Sequence, residues 1–338
     1  FYLVKGMNNL VLNCDAHDNY DGYSEGDSGN VDGFGGHANK ETSTGNIFRG
    51  CRAWNNGDDG FDLINCYASY IIEYCWSFRN GYKPHSIESS GGNGAGFKSG
   101  GYGMGDIKKV PNPIPQHTVR YCLAYYNRQQ GFYSNHHLGG LIFENNTAYK
   151  NPSNYNMLNR KSSNEAVDVP GYGHIIKNNL SLSPRNSGGF PQHLINVDNT
   201  LSEIKNNSFA PNDLNLSESD FESLNEQELM GSRKSDGSLP DINFLRLTNH
   251  ANFRFSGMGC FINEEAVDYS WIQEPAIVLE NGVARIVGED SKSFNKFYVN
   301  GEEVSIENGI VDLTSMSGEL NLKAISENGA VTTLIINK

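Results

Sequence analysis

One short phrase returns along this chain: an apolar pair, then a Cys or Asn, then alternating polar and apolar residues that close on Asn. It stands at 11–19, 47–56, 71–80 and 119–127, with Cys14, Cys51, Cys75 and Cys122 at its turn. It continues with Asn in the Cys position at Asn146, Asn179 and Asn207. Cys51 and Cys75 are 24 residues apart, as are Cys122 and Asn146, whereas Cys75 and Cys122 are separated by 47. A period in the low twenties with β alternation fits one coil of a parallel β-helix. The longer gap is either two coils or one coil with a long turn. Equivalent residues in adjacent coils sit about 4.8 Å apart, so the repeated Cys and Asn predict inward ladders of buried thiols and hydrogen-bonding amides. Disulfides between coils would be strained. The six cysteines form no tight CxxC cluster, which argues against a zinc site.

Composition agrees with a turn-rich repeat. Of 338 residues 37 are Gly, and about one in eight is Asn. Both residue types favour turns and left-handed backbone. An aromatic content of 11% argues against disorder. No stretch approaches the roughly 20 apolar residues of a membrane span. A net charge of −13 argues against non-specific nucleic-acid binding. The same charge means that an acidic ligand would need a metal or local cations.

The repeats fade after Ala210. The polar stretch 211–250 reads as a strap lying along the helix or closing its C-terminal end, with Ser217 capping a short helix and a turn at 236–240. The domain boundaries expected are a β-helix over 1–250 and a small antiparallel, sandwich-like β domain over 262–338. In the latter, short strands at 276–279, 283–287, 296–299 and 334–336 alternate with Asn-Gly turns at Asn300, Asn308 and Asn328. The first repeat begins near residue 1 with no capping sequence and no signal-like run, which raises the expectation of earlier coils and of a processed or truncated chain.

The chemistry concentrates in two glycine-rich phrases. Residues 56–62 place Asp58, Asp59 and Asp62 within five positions, and Asp32 lies in a related Asp-Gly-Phe phrase. If the two phrases occupy neighbouring coils, their carboxylates converge. Four oxygen-bearing side chains on a rigid surface suit Ca²⁺ better than Mg²⁺. A third Gly-Phe phrase carries Lys98. A lysine beside a bound divalent cation would have its pKa lowered, which makes it a candidate base.

Taken in this order and spacing, residues 31–34, 56–63, 94–98, 138–140 with 145–149, and 236–240 resemble the pectate-lyase-like enzymes of polysaccharide lyase family 9. The resemblance covers roughly residues 1–250. It implies a right-handed parallel β-helix and Ca²⁺-dependent β-elimination on galacturonate-containing polysaccharides. Asp32, Asp58, Asp59 and Asp62 match the family's calcium ligands, and Lys98 its catalytic base. It also implies a secreted, cell-surface or periplasmic enzyme, acting as a monomer on an acidic plant cell-wall polysaccharide.

Around that core, Arg128, Tyr133, His137 and His37 are the expected substrate contacts. His136, Tyr102 and Tyr155 are weaker candidates. Where the family often has a basic stretch after Asp-Gly-Phe, this chain has Gly35-Gly36-His37, and Lys108 and Lys109 sit in a proline-rich loop. Few cations and many tyrosines favour rhamnogalacturonan I, whose carboxylates fall on every second sugar, over homogalacturonan. Two rival readings remain: a non-catalytic β-helix adhesin or carbohydrate-binding protein, and a β-helical glycoside hydrolase using the aspartates as paired carboxylates.

Overall fold

The computed structural model describes residues 1–23, 28–102, 110–185, 192–209, 214–261, 275–280, 282–288, 291–307, 309–327 and 329–337. Lys108, Lys109, Asn308 and Asn328 lie outside the described residues.

Three parallel sheets stack along residues 1–209, two of seven strands and one of six. Each of the first six coils contributes one short strand to each sheet, and the seventh contributes to the first two. The first sheet runs through Tyr2–Leu3, Phe34–Gly36, Phe61–Asp62, Phe97–Lys98, Phe132–Tyr133, Tyr155–Asn156 and Leu194–Ile195. The second runs from Leu10–Leu12 to Glu203–Lys205, and the third from Asp15–His17 to Leu180–Leu182. This is the parallel β-helix expected from the repeat. The 47-residue gap is a single coil, because Ile71 pairs directly with Thr118. The excess length falls between the strands ending at Phe78 and beginning at Phe97, and between those ending at Lys98 and beginning at Thr118.

The repeated phrase forms the corner between the second and third sheets. The residue just before the Cys or Asn is left-handed in every coil, with φ from 52° to 63° at Asn13, Gly50, Tyr74, Tyr121, Asn145, Asn178 and Asn206. Asn tolerates that region better than most residues, which accounts for part of the Asn content. The next residue points inward from Cys51 onward, whereas Cys14, expected in the same ladder, is exposed in the first coil, which has no coil before it in this structure to cover it. Cys51, Cys75 and Cys122 are buried free thiols, and the ladder passes to Asn146, Asn179 and Asn207. A second ladder, Asn19–Asn56–Asn80–Asn127–Asn151, links successive coils through side-chain amides 2.7–3.1 Å apart. These bonds satisfy amides that burial would otherwise leave unpaired.

Between the ladders runs an aromatic column. Phe34, Phe61, Phe97, Phe132 and Tyr155 stack with ring centroids 4.9–5.0 Å apart. Each ring therefore fixes the height of the residue that follows it in the first sheet. Along the outer face of the third sheet lie residues 218–230. There Glu226 meets Arg79 at 2.5 Å, and Arg52 Nη1 donates to the Leu229 carbonyl at 2.9 Å.

The chain divides into two units, Phe1–Met230 with Asp241–Ile262, and Gly231–Pro240 with Asn263–Lys338. The second unit holds two antiparallel sheets of three and four strands around Phe297, Leu322 and Ala324. The Asn300–Gly301 turn joins Phe294–Val299 to Glu302–Val304 as a hairpin, both turn residues having positive φ.

Candidate active site

The first sheet brings the glycine-rich phrases into register. Phe34 pairs with Phe61 and Phe61 with Phe97, so Asp32 stands one coil from Asp59, and Asp62 is the direct partner of Lys98. All five side chains are buried, at 6% (Asp32), 2% (Asp58), 0% (Asp59), 5% (Asp62) and 8% (Lys98) exposure. Carboxylate oxygens of Asp32, Asp58 and Asp59 lie within 4.8 Å of one another. Lys98 Nζ stands 3.0 Å from Asp59 Oδ2 and 3.1 Å from Asp62 Oδ2.

Backbone amides hold the carboxylates in place. Asp58 Oδ1 accepts from Asn93 N at 2.5 Å, and Asp59 Oδ1 from Ala95 N at 2.6 Å. Asp32 Oδ1 accepts from Asp59 N at 3.0 Å, and Asp62 Oδ1 from Ile64 N at 2.8 Å. The Tyr2 hydroxyl donates to Asp32 Oδ2 at 2.8 Å.

The electrostatics are those of crowded negative charge. Burial, then the charges of Asp62 and Asp58, push the Asp32 carboxyl up to about 7. Burial raises Asp58, and raises Asp59 well above the carboxylate range. Lys98 is pulled down by burial, but its ion pairs with Asp59 and Asp62 prevail and hold it above the ordinary lysine range. That direction is opposite to the lowering expected beside a divalent cation, and the two carboxylates are the reason.

The donor set fits a calcium ion. Oxygens sharing one Ca²⁺ at about 2.4 Å can be no more than about 5 Å apart, a limit the Asp32, Asp58 and Asp59 oxygens meet. Asp59 Oδ2 is buried and receives no aligned hydrogen bond, only the ion-pair contact with Lys98. Asp62 lies at the margin, both its oxygens already accepting from Ile64 and Lys98.

The surrounding candidates separate. Tyr133 is the register partner of Lys98 in the next coil and is half-buried. Arg128 donates to the Gly92 carbonyl and so braces the turn that supplies the Asn93 and Ala95 amides. His37 stacks on Tyr2 with centroids 5.2 Å apart, its Nδ1 2.9 Å from the Ile64 carbonyl. Gly35 makes room for this pair, because a Cβ there would meet the Tyr2 ring at 2.3 Å and His37 Nε2 at 2.7 Å. His137 stands apart from the site face. Its ring is fully buried, Nδ1 accepts from Gly101 N at 3.1 Å, and Nε2 donates to the Pro115 carbonyl at 2.7 Å. Both nitrogens are thus engaged inside the protein, and the ring offers a substrate no polar atom. Tyr155 is likewise interior, in the aromatic column.

The repeats carried no sign of Tyr2, Asn93 or Ala95. Tyr2 was legible only through its register with Gly35. The two amides act through their backbone, which no residue type announces.

A parallel β-helix with an acidic cluster and a buried lysine on one sheet defines the class: a β-helix protein built around a lysine-and-carboxylate centre. Residues 1–207 match the family model described as Pel9A-like, right handed beta helix region, and residues 198–333 match rhamnogalacturonan lyase-like, C-terminal. The chain belongs to the Pel9A-like right-handed β-helix family, in agreement with the resemblance carried by its motifs. It is 35% identical to pectate lyase L of Dickeya chrysanthemi over 78% of this chain and 54% of that protein. It is 29% identical to pectate lyase PEL9 of Emericella nidulans over 71% of this chain and 56% of that protein. Among solved structures it resembles a rhamnogalacturonan lyase, with TM-score 0.69 and 54% identity over 77% of this chain and 62% of that one. It also resembles pectate lyase Pel9A, with TM-score 0.55 and 34% identity over 72% and 53%. The chain spans about half the length of the relatives it matches in sequence.

Proposed function

We propose that this protein is a polysaccharide lyase that cleaves the galacturonate-containing backbone of pectin by β-elimination, with rhamnogalacturonan I as its substrate. The observation that carries the reading is the placement of Lys98 Nζ within 3.1 Å of both Asp59 and Asp62, beside the Asp32–Asp58–Asp59 cluster. An adhesin gains nothing from a buried lysine among four buried carboxylates. A hydrolase needs its two carboxyl groups about 5–9.5 Å apart with a glycosidic bond between them, whereas oxygens of Asp32, Asp58 and Asp59 lie within 4.8 Å of one another.

Asp32, Asp58 and Asp59, with Asp62 beside them, would hold a Ca²⁺. Bound there, the ion supplies a Lewis acid that acidifies the C5 proton of a uronate and counters the carboxylate charge now holding the Lys98 proton. Lys98 Nζ, once neutral, takes the C5 proton. The electron pair then forms the C4–C5 double bond as the C4–O bond breaks, and the departing oxygen takes up a proton to leave as a hydroxyl. Tyr133, one coil further along, offers a flat face to the neighbouring sugar. Burial of all five groups excludes bulk water from the proton-transfer path.

The preference for rhamnogalacturonan I is supported by the 54% identity to a rhamnogalacturonan lyase, against 29–35% for the pectate lyases. The protein acts outside the cytoplasm, on plant cell-wall polysaccharide, as a monomer. The test is ultraviolet absorbance of the unsaturated product on rhamnogalacturonan I and on polygalacturonate, each with Ca²⁺ and with EDTA. A Ca²⁺-dependent rise on the first substrate supports the reading. New reducing ends without absorbance would mean hydrolysis, and neither signal would leave a binding protein.

A further inference from the structure

Three arginines among the described residues are more than nine-tenths buried: Arg49, Arg52 and Arg160. Two of them have carboxylate partners. Arg49 Nε donates to Glu73 Oε1 at 2.6 Å, and Arg52 donates to both oxygens of Asp15 at 3.0 and 2.7 Å. Arg160 forms no ion pair among the described residues. Its side chain makes one hydrogen bond, from Nη1 to the Tyr102 carbonyl at 3.2 Å, and its Nε is buried without an acceptor. A guanidinium carries five donors and cannot shed its charge. Burying it without a counter-ion is costly, and a purely structural clamp on one carbonyl does not require it.

The position is informative. Arg160 lies in Asn159–Ser162, the first strand of a hairpin that rises from the coil after Tyr155–Asn156 and returns through Glu165–Val169. Its reach to Tyr102 crosses back to the coil of Lys98, which Tyr102 follows by four residues. The natural counter-ion would be Asp168, its cross-strand partner, but Asp168 turns to His136 Nε2 at 3.1 Å. The positive charge of Arg160 is felt at Tyr133 and at His136. A cation is thus set beside the Lys98–Tyr133 column with its acceptor missing.

We propose that Arg160 binds a second uronate carboxylate of the polysaccharide, apart from the one engaged at the aspartate cluster. This rests on the polyuronide-lyase reading above and names a specificity-determining residue for it. A planar carboxylate matches the guanidinium fork, and a substrate bearing repeated carboxylates supplies one at a fixed distance from the scissile bond.

The test compares wild type with Arg160→Gln and Arg160→Lys. Calorimetric binding of a galacturonate-containing oligosaccharide is measured in EDTA, where no turnover is expected, and steady-state kinetics are measured with Ca²⁺. The Gln variant should bind about tenfold or more weakly, as loss of a charged hydrogen-bond pair implies. Its KM should rise to match while kcat changes little. The Lys variant should recover part of the affinity. A carboxyl-reduced oligosaccharide should bind wild type and the Gln variant alike. Unchanged affinity and KM in a folded Gln variant overturn the proposal. So does equal weakening for the reduced oligosaccharide, which would make Arg160 a structural clamp. If the Gln variant does not fold, the Lys variant and the reduced ligand decide the matter against wild type. Wild type without any unsaturated product but with carboxylate-dependent binding would sink the lyase reading and leave the anion site standing.

Discussion

Asp62 and Lys98 occupy the same place in successive coils, and the lysine ammonium stands 3.1 Å from the carboxylate. Parallel register makes this contact: Phe61 stacks on Phe97 at 4.9 Å, and the next residue of each strand is carried to the same height. The base and its acidic neighbour are therefore positioned by the aromatic column beneath them.

Removing the base tests its role directly. Lys98→Ala should lower turnover by about 10²–10⁴-fold, the usual worth of general acid–base catalysis, with the coil intact. It also leaves Asp59 and Asp62 without their cation. The variant's melting temperature should therefore fall in EDTA and recover with Ca²⁺. Turnover within threefold of wild type in a folded variant would remove Lys98 from the mechanism.

Four buried carboxylates against one lysine predict linkage to a divalent cation. Ca²⁺ at about 100 times its Kd should stabilise wild type by about 2.7 kcal/mol. Mg²⁺ should do less at equal concentration, since it gives up its waters reluctantly. Asp59→Asn should abolish most of the Ca²⁺ shift. Thermal melts with EDTA, Ca²⁺ and Mg²⁺ read this without any substrate, and equal shifts in wild type and variant would place the ion elsewhere.

The amide ladder makes a graded prediction. Asn80 accepts from Asn56 N and Nδ2 at 3.1 and 2.9 Å and donates to Asn127 at 2.9 Å, all buried. Asn80→Ala strands several groups and should cost about 3 kcal/mol or more, at about 1–3 kcal/mol for each group left unsatisfied. Asn19 ends the ladder at an exposed position, where water replaces the lost bond. Asn19→Ala should cost about 1 kcal/mol or less. Similar losses at both positions, by denaturant titration, would contradict a cooperative ladder.

What the sequence revealed and what it hid divide along the same physical line. Inward positions repeat because each must pack on its equivalent one coil away. So Cys51, Cys75, Cys122 and Asn146 were legible as a ladder, and the Gly-Phe phrases as a register that brings Asp32, Asp59 and Lys98 together. Turns between sheets differ in length from coil to coil, so their residues have no equivalent to be read against. Arg160 in its hairpin and the amides of Asn93 and Ala95 belong there. His136 and His137 show the limit at one residue's resolution. Left-handed backbone at Asn135 and His136 sends the first ring to Asp168 and the second into the interior.

That interior placement makes His137 a pH-sensitive element of stability. Burial holds both His137 and His174 down to about 4, below the ordinary value of 6.5. In the unfolded chain each binds a proton near pH 6.5, while in the folded chain each stays neutral to about 4. The unfolded state therefore takes up more protons across that window. Their contribution to stability is intact above pH 6.5 and is lost as pH drops toward 4, by up to about 1.4 kcal/mol per pH unit for each ring. The raised carboxyls of Asp32, Asp58 and Asp59 act in the opposite sense over the same window, so denaturant titrations from pH 7 to 4.5 should read the histidine loss as the difference between wild type and His137→Gln, the variant starting from a lower stability. At pH 8 the folded variant should keep the wild-type KM, because both ring nitrogens face Gly101 and Pro115. A raised KM with unchanged stability would return His137 to the substrate face.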